Sequence, residues 1–287
     1  MQPRRSSELT ARTRQLDGVG GVRIAVDEWG SPDDPLVLFL HGGGQTRHSW
    51  KSAGADLAAA GLHTVSADLR GHGDSDWAPD ADYGLEAIRD DVICVLDQIG
   101  GPAALVGASM GGLTSLLVAH ERPELVSRLV LVDVVPRIER AGAVRITGFM
   151  RSAPHGFADL DEAADAIAAY LPHRTRPRST DGLRKNLRQG EDGRWYWHWD
   201  PAMFTTDSHP DPERIQEQLE TAARELTMPT LLLQGALSDV VSDDGVEHFR
   251  GLAPSAQVVR LQDAAHTAAA DDNDAFTRAV RDFLLPG

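Results

Sequence analysis

The sequence has little of three things that would each mark a class of protein: cysteine, basic charge and long uncharged apolar runs. Its single cysteine, Cys94, excludes a disulfide within the chain, and its place in an amphipathic pattern favours a small packing residue. Lys and Arg number 28 against 43 Asp and Glu, a net charge of −15 that argues against nucleic acid or an anionic membrane surface as partner. The charge-free run 103–119 is interrupted by glycines, so we do not expect it to span a membrane.

Two further absences concern targeting and metals. Residues 1–14 are polar and lack an apolar core, so we interpret them as a tail rather than a signal peptide and expect a cytosolic protein. The sequence shows no cluster of His, Cys, Asp or Glu with the spacing of metal ligands. We therefore expect neither a metal nor a cofactor.

What the sequence does contain is a G-x-S-x-G stretch centred on Ser109. An apolar run of strand character, 103–106, precedes it, and 113–120 has the residue types of a helix. A sharp turn between the two brings both arms close together, which requires glycine at 107 and 111. The turn lifts the serine hydroxyl outwards and aims the backbone N–H groups of the helix N-terminus at the group that the hydroxyl attacks, as a nucleophile needs.

Around this turn, apolar strands alternate with amphipathic helices, and the alternation lapses between about 137 and 226. Such alternation is typical of an α/β fold with a mostly parallel, doubly wound sheet, here with an antiparallel leading hairpin. We predict a core of 1–136 and 227–287. A helical cap, 137–226, is inserted before the strand that precedes Asp239, the candidate catalytic acid discussed next. The predicted strands are 12–16, 22–29, 36–40, 64–67, 103–106, 127–132, 230–234 and 257–261, and the predicted helices are 49–60, 85–99, 113–120, 160–171, 244–252 and 275–284.

A serine nucleophile needs a histidine base and a carboxylate that orients it, both at strand ends. His266 follows the last predicted strand and is our candidate base. Asp239 follows the strand 230–234 after a short turn and is our candidate acid. Asp133, at the end of the preceding strand, is a rival for the same role.

Acyl transfer also needs hydrogen-bond donors for the oxyanion. The Met110 N–H at the elbow is one candidate. The other is the N–H of Gly43, in the His-Gly-Gly-Gly run that follows the buried strand 36–40. We expect Asp68 and His72, in the next glycine-rich loop, to hold neighbouring loops together rather than to bind metal or phosphate.

The order Ser109, Asp239, His266, with His41-Gly42 ahead and an insertion before the strand 230–234, resembles the α/β-hydrolase superfamily over almost the whole chain. Within the superfamily, the chain looks like the single-domain bacterial esterases, perhydrolases and epoxide-hydrolase-like proteins that carry a helical cap. This resemblance implies ester hydrolysis through an acyl-enzyme. Epoxide hydrolases and haloalkane dehalogenases of the superfamily carry an aspartate nucleophile where this sequence has Ser109, which argues against both activities.

The cap is expected to set substrate size, and Trp197 and Trp199 in the aromatic run 195–199 are our candidate substrate-binding residues. The same rings are also consistent with a small core of the cap itself. The basic stretch 174–194 is interpreted as a solvated face.

We expect a serine hydrolase of small to medium uncharged carboxylic esters, with a small-molecule ester as its partner. Lactones, C–C bonds next to a ketone and peracids need the same triad, so they remain alternatives. A weakly catalytic small-molecule receptor is a further one.

Overall fold

The computed structural model describes residues 10–170, 176, 179–204, 211–262 and 274–285. Within these ranges the strands are β1 (Arg12–Asp17), β2 (Arg23–Trp29), β3 (Leu36–Leu40), β4 (His63–Ala67), β5 (Ala103–Ala108), β6 (Val126–Val132), β7 (Leu187–Gln189), β8 (Trp195–Trp197), β9 (Thr230–Gly235) and β10 (Gln257–Leu261). The α-helices there are α1 (Lys51–Ala59), α2 (Leu85–Ile99), α3 (Met110–Glu121), α4 (Arg140–Met150), α5 (Leu160–Tyr170), α6 (Pro212–Arg224), α7 (Asp243–Leu252) and α8 (Asp274–Leu284).

Eight strands form one sheet in the order β1-β2-β4-β3-β5-β6-β9-β10. β2 pairs antiparallel with both β1 and β4, and every other pair in this sheet is parallel. β3 and β5 lie at the centre and are buried along their whole length, as continuous apolar runs covered on both faces should be. The predicted fold class, a mostly parallel sheet led by antiparallel strands, is confirmed.

The two faces of the sheet are covered by different helices. On one face Ile88 of α2, Leu116 of α3 and Phe249 of α7 join a large buried cluster. On the other face Leu57 of α1 and Phe276 of α8 join a second cluster. This sandwich brings the carboxyl ends of the parallel strands to one open edge, where ligands of such sheets bind.

The predicted strands 36–40 and 257–261 have the predicted bounds, and the other core strands differ by one or two residues. The helix after the elbow begins at Met110 rather than at 113, because the turn itself supplies its first residues. No helix of the described chain is long and apolar enough to cross a membrane.

The inserted segment is mixed rather than purely helical. α4 and α5 are followed by the antiparallel hairpin of β7 and β8, and Phe157, Leu160, Ala163 and Leu187 form a small core there. α6, also within the predicted cap 137–226, instead buries Leu219 in the main cluster of the sheet. The division into core and cap at 137 and 226 stays a prediction, and we use "cap" below for the part from α4 to residue 204.

Candidate active site

Ser109 occupies a sharp turn between β5 and α3, at the carboxyl edge of the sheet. Its backbone has φ 47° and ψ −117°, a region that costs a non-glycine residue on the order of 1–3 kcal/mol. A Cβ atom on Gly107 would lie 2.4 Å from the Gly111 oxygen, and one on Gly111 would lie 2.3 Å from the Leu40 oxygen. Glycine is therefore required on both sides of the serine, as the sequence indicated.

The first turn of α3 presents an amide beside this serine. The Gly111 N–H donates to the His41 oxygen at 3.1 Å, and the Gly112 N–H donates to the Ser109 oxygen at 2.9 Å. The Met110 N–H has no acceptor among the described residues. An unpaired amide at a helix N-terminus attracts negative charge, so Met110 has the geometry of an oxyanion donor.

A second amide comes from the β-turn that follows β3, residues 42–45, which we call the oxyanion turn. The Gln45 N–H closes it on the Gly42 oxygen at 3.1 Å, and Gly44 at its third position has φ 73°. A Cβ atom on Gly42 would lie 3.3 Å from the Ser109 Cβ, so the turn approaches the serine closely. The Gly43 N–H has no acceptor within the described part of the chain.

The direction of the Gly43 N–H follows from the peptide that contains it. Two donors hold the Gly42 oxygen: the Gln45 N–H and the His41 Nδ1–H, the latter at 2.8 Å. His41 carries its proton on Nδ1 because Nε2 accepts from the Leu69 N–H at 2.9 Å. Since C=O and N–H point in opposite directions in a trans peptide, fixing the Gly42 oxygen also fixes the Gly43 N–H.

Two more histidines bind the oxyanion turn at Gly44. His72 Nε2 accepts from the Gly44 N–H at 3.1 Å, and its Nδ1–H donates to the Arg70 oxygen at 3.1 Å. From the cap, His198 Nε2–H donates to the Gly44 oxygen at 3.3 Å, while its Nδ1 accepts from the Gly73 N–H at 2.8 Å. Both polar groups of Gly44 therefore have imidazole partners.

These three imidazoles are neutral. Burial lowers the pKa of His41 to about 4 and that of His72 to about 3, and it lowers the pKa of His198 well below its ordinary value. The ring centroids are 5.0 Å apart between His41 and His72 and 5.7 Å apart between His72 and His198. A neutral ring keeps one acceptor nitrogen, and each of the three uses it for a backbone N–H.

Asp68 ties the neighbouring loops together, as the sequence indicated. Its carboxylate accepts from the Arg47 N–H at 2.6 Å and the Asp74 N–H at 2.9 Å, and it forms an ion pair with the Arg47 guanidinium. The same guanidinium also pairs with Asp27 and Asp74. Among the described residues, no group of three or more His, Cys, Asp or Glu side chains is arranged to hold a metal.

Asp133 lies one strand away from the serine, at the end of β6. Its side chain is fully buried, and its Oδ1 and Oδ2 accept from the Gly235 N–H at 2.8 Å and the Ser238 hydroxyl at 2.6 Å. The Ser109 N–H donates to the oxygen of the preceding residue, Val132, at 3.3 Å. The structure thus brings the backbones of Ser109 and Asp133 together and anchors a buried carboxylate there.

Asp239, the acid chosen from the sequence, has a different environment. Its side chain is 44% exposed, and its Oδ2 accepts from Arg145 of α4, at 2.7 Å from Nε and 2.5 Å from Nη2. The carboxylate therefore joins the loop after β9 to a helix of the cap. Its role as orienting acid stays a prediction.

The predicted base, His266, lies outside the described residues. It follows Leu261, the end of β10, by five positions. Leu261 pairs with Gly235, whose N–H binds Asp133, and the Ala236 N–H donates to the Leu261 oxygen at 2.9 Å. The strand that leads to His266 therefore ends beside the loop that holds Asp133.

The cap places apolar side chains on the oxyanion turn. Measured from a Cβ atom built on Gly44, Met150 Cε lies 3.1 Å away and Trp199 Cζ3 lies 3.2 Å away. Met150 Sδ lies 3.5 Å from a Cβ built on Gly43. Both side chains are buried, so they form an apolar wall beside the candidate donor. Sequence analysis did not single out Met150, because no motif marks it and α4 was not among the predicted helices.

Trp197 and Trp199 stack on each other, with ring centroids 4.8 Å apart and an interplanar angle of 12°. Trp197 also meets Phe157 edge-on at 5.1 Å and packs against the small core of the cap. Trp199 instead contacts the oxyanion turn. The sequence left two alternatives open for these rings, a pocket wall and a cap core. By its contacts, Trp199 lies where a pocket wall would be, and Trp197 lies in the core of the cap. Their roles towards substrate stay predictions.

His198 is another residue at this site that sequence analysis missed. Its ring accepts from the Gly73 N–H, which lies 125 positions away in the sequence. No local pattern marks it, because it stands inside an aromatic run that reads as apolar. Only the fold brings it to the oxyanion turn.

The chain matches one protein family and is similar to several known proteins. A sequence model of the alpha/beta hydrolase fold family matches residues 35–272. The chain is 29% identical to esterase Rv0045c of Mycobacterium tuberculosis, covering 94% of this chain and 89% of that one. It is 32% identical to the mouse (Mus musculus) sn-1-specific diacylglycerol lipase ABHD11, covering 87% and 81%. The solved structure of E-2-(acetamidomethylene)succinate hydrolase superposes with a TM-score of 0.82 at 26% identity, covering 96% and 99%.

Proposed function

The chain belongs to the alpha/beta hydrolase family, and on that premise we propose that it is a serine hydrolase that cleaves small to medium uncharged carboxylic esters through an acyl-enzyme. Similarity over most of its length to proteins named as an esterase and a lipase supports carboxylic ester hydrolysis as the class of reaction. The observation that carries the proposal is the strained Ser109 elbow, beside which the N–H groups of Met110 and Gly43 have no acceptor among the residues that the structure describes.

In the proposed reaction, Ser109 Oγ attacks the ester carbonyl carbon while its proton passes to His266. The carbonyl oxygen becomes an oxyanion that accepts hydrogen bonds from the Met110 and Gly43 N–H groups. Collapse of the tetrahedral intermediate breaks the ester C–O bond, and the leaving alcohol takes the proton from His266. Water then attacks the acyl-enzyme by the same steps, which releases the carboxylic acid and restores Ser109.

For the acid that orients His266, we propose Asp133 in place of Asp239. The Gly235 N–H and the Ser238 hydroxyl are two of its partners, and they fix the Asp133 carboxylate at the end of β6. Its burial strengthens the attraction for an imidazolium formed during turnover. Asp239, in contrast, would have to break its ion pair with Arg145 in order to orient His266.

The proposed substrate class follows from the wall beside the donor. Met150 and Trp199 offer apolar surface at the oxyanion turn, where the acyl or alcohol part of an ester would lie. Apolar walls discriminate weakly, at about 1–3 kcal/mol per methylene. We therefore expect a preferred range of chain lengths rather than a single ester, with long triglycerides as poor substrates.

The test combines covalent labelling with a substrate panel. Fluorophosphonate should add one group to the folded protein, on the peptide that contains Ser109, and Ser109→Ala should abolish the label and lower turnover on the order of a million-fold. Ser52→Ala, an exposed serine on α1, is the matched control and should change neither. Labelling elsewhere, or none, would exclude Ser109 as the nucleophile.

The panel separates the alternatives that share the triad. It contains p-nitrophenyl esters from acetate to laurate, a lactone, a diketone, and an ester assayed with peroxide for peracid formation. The esters should have the highest kcat/KM. A higher kcat/KM for the lactone or the diketone, or a dominant peracid product, would mean that the protein catalyses that reaction instead of ester hydrolysis. Binding without turnover would indicate a receptor.

A further inference from the structure

A short piece of the cap, residues 198–200, is bound directly to the loop that follows β4, and we call it the cap strut. His198 Nδ1 accepts from the Gly73 N–H at 2.8 Å, and the Asp200 N–H donates to the Gly71 oxygen at 3.0 Å. The Tyr83 hydroxyl donates to the Asp200 carboxylate. His198 itself is 2% exposed. The strut therefore has a fixed position relative to the core.

From this position His198 reaches the oxyanion turn through its second nitrogen, which donates to the Gly44 oxygen at 3.3 Å. The Gly44 oxygen and the Gln45 N–H belong to one peptide, and this N–H closes the turn on the Gly42 oxygen at 3.1 Å. The Gly42 oxygen and the Gly43 N–H belong to another peptide. Because each peptide is planar, fixing one group of it also fixes the opposite group.

The turn needs such support because glycine is conformationally permissive. Gly42, Gly43 and Gly44 have no side chains that restrict rotation, and Gly44 has φ 73°. His72 holds only the N–H side of Gly44, which belongs to the preceding peptide. The peptide between Gly44 and Gln45 has His198 as its partner on the carbonyl side.

We propose that His198 is a positioning residue for the oxyanion hole. By donating to the Gly44 oxygen, it holds the peptide that closes the turn, and the turn in turn aims the Gly43 N–H at the carbonyl bound to Ser109. This inference rests on the proposed function, because it requires Gly43 to be an oxyanion donor. It makes the geometry of the reaction centre depend on the docking of the cap.

The two nitrogens of His198 are tested separately with two amide side chains. In His198→Asn the amide occupies the place of Nδ1, which retains an acceptor for Gly73 and removes the donor to Gly44. In His198→Gln the amide reaches the place of Nε2 and restores that donor. His155→Asn, an exposed histidine of the cap, is the matched control.

We expect His198→Asn to lower kcat about tenfold with KM little changed, less than the roughly 100-fold cost of removing an oxyanion donor itself. His198→Gln should recover most of the loss, and His155→Asn should match the wild type. Affinity for a trifluoromethyl ketone, whose adduct with serine carries an oxyanion, should fall in parallel with kcat/KM. Rates are expressed per site titrated with fluorophosphonate, so that only folded enzyme is counted.

The outcomes separate this inference from the function beneath it. If the wild type neither hydrolyses esters nor takes up fluorophosphonate at Ser109, the proposed function fails and the inference fails with it. If the wild type is active and the kcat of His198→Asn equals that of the wild type, the inference alone is wrong. Equal losses in both variants, with equal falls in melting temperature or with no folded protein at all, would make His198 a docking residue only.

Discussion

Two carboxylates compete for one role at this site, and single-atom substitutions distinguish them. Asp133→Asn should lower kcat roughly ten-thousand-fold, because an amide in place of the orienting carboxylate favours the wrong imidazole tautomer. Asp239→Asn is the matched comparison and should cost far less, since its partner is Arg145. Steady-state kinetics on both variants, with circular dichroism to verify folding, provides the measurement. Reversed losses would return the role to Asp239.

The choice between these residues shows what a sequence can and cannot predict at this scale. Both follow a parallel strand of the core, so strand order predicts either one. Their burial differs in the structure, since Asp133 is fully buried whereas Asp239 is partly exposed, and this difference is the ground on which we propose Asp133. Burial of a loop residue depends on what the distant cap and neighbouring loops cover, and one-dimensional patterns do not contain that information.

At the scale of elements, the elbow between β5 and α3 is the feature that sequence patterns predict best. Gly111→Ala should destabilise the fold by about 1–3 kcal/mol or more, because the added Cβ would lie 2.3 Å from the Leu40 oxygen, and it should also lower activity. Gly148→Ala is the control, since a Cβ there meets nothing within 4 Å and glycine costs an exposed helix about 0.5–1 kcal/mol. Urea unfolding of both variants should show opposite shifts. A neutral Gly111→Ala would contradict the close packing of the turn.

The stacked pair Trp197 and Trp199 provides a test of the cap. Trp199→Ala should shift the ester preference towards bulkier acyl groups, because this ring contacts the oxyanion turn. Trp197→Ala should lower the melting temperature and reduce the rates for all esters alike, because this ring packs in the core of the cap. A chain-length profile and a thermal melt for each variant supply the readouts. If neither variant changes relative rates, selectivity comes from elsewhere in the cap.

The cap was also the least predictable element. The strands of the core are apolar runs bounded by turn residues, and their bounds were predicted to within two positions. The hairpin of β7 and β8 has only three residues in each strand, too few for a period of two to stand out. α6 lies in the inserted segment by sequence yet packs against the sheet core, a choice that depends on tertiary contacts.

At the scale of the whole molecule, the buried histidines predict a loss of stability in mild acid. Unfolded histidines take up protons as the pH falls through about 6.5, whereas the folded protein keeps His41 neutral to about pH 4 and His72 to about pH 3. The unfolded state therefore binds more protons between these values, and the free energy of unfolding falls as the pH falls through that window. The urea midpoint should decrease from pH 7 to pH 5.

His72→Gln supplies the control for this prediction. Its amide oxygen can still accept from the Gly44 N–H, but the side chain does not titrate, so stability should depend less steeply on pH in the same window. Burial alone would raise the pKa of Asp27, but hydrogen bonds from His48 and Thr13 and the charge of Arg47 hold it below its usual range. The contribution of this carboxylate to the free energy of unfolding is therefore lost only at more acidic pH. A urea midpoint that stays flat or rises towards pH 5 would mean that the three histidines are not held neutral.

The cap strut bears on how this protein can be engineered. The cap could be excised to widen access to the active site, or exchanged for the cap of a relative. Either change would remove the hydrogen bonds that the Gly73 N–H, the Gly71 oxygen and the Tyr83 hydroxyl make to His198 and Asp200. Where a foreign cap covers these groups without bonding them, each group left buried and unpaired costs about 1–3 kcal/mol. A chimera whose splice sites lie outside residues 198–200 would retain these bonds.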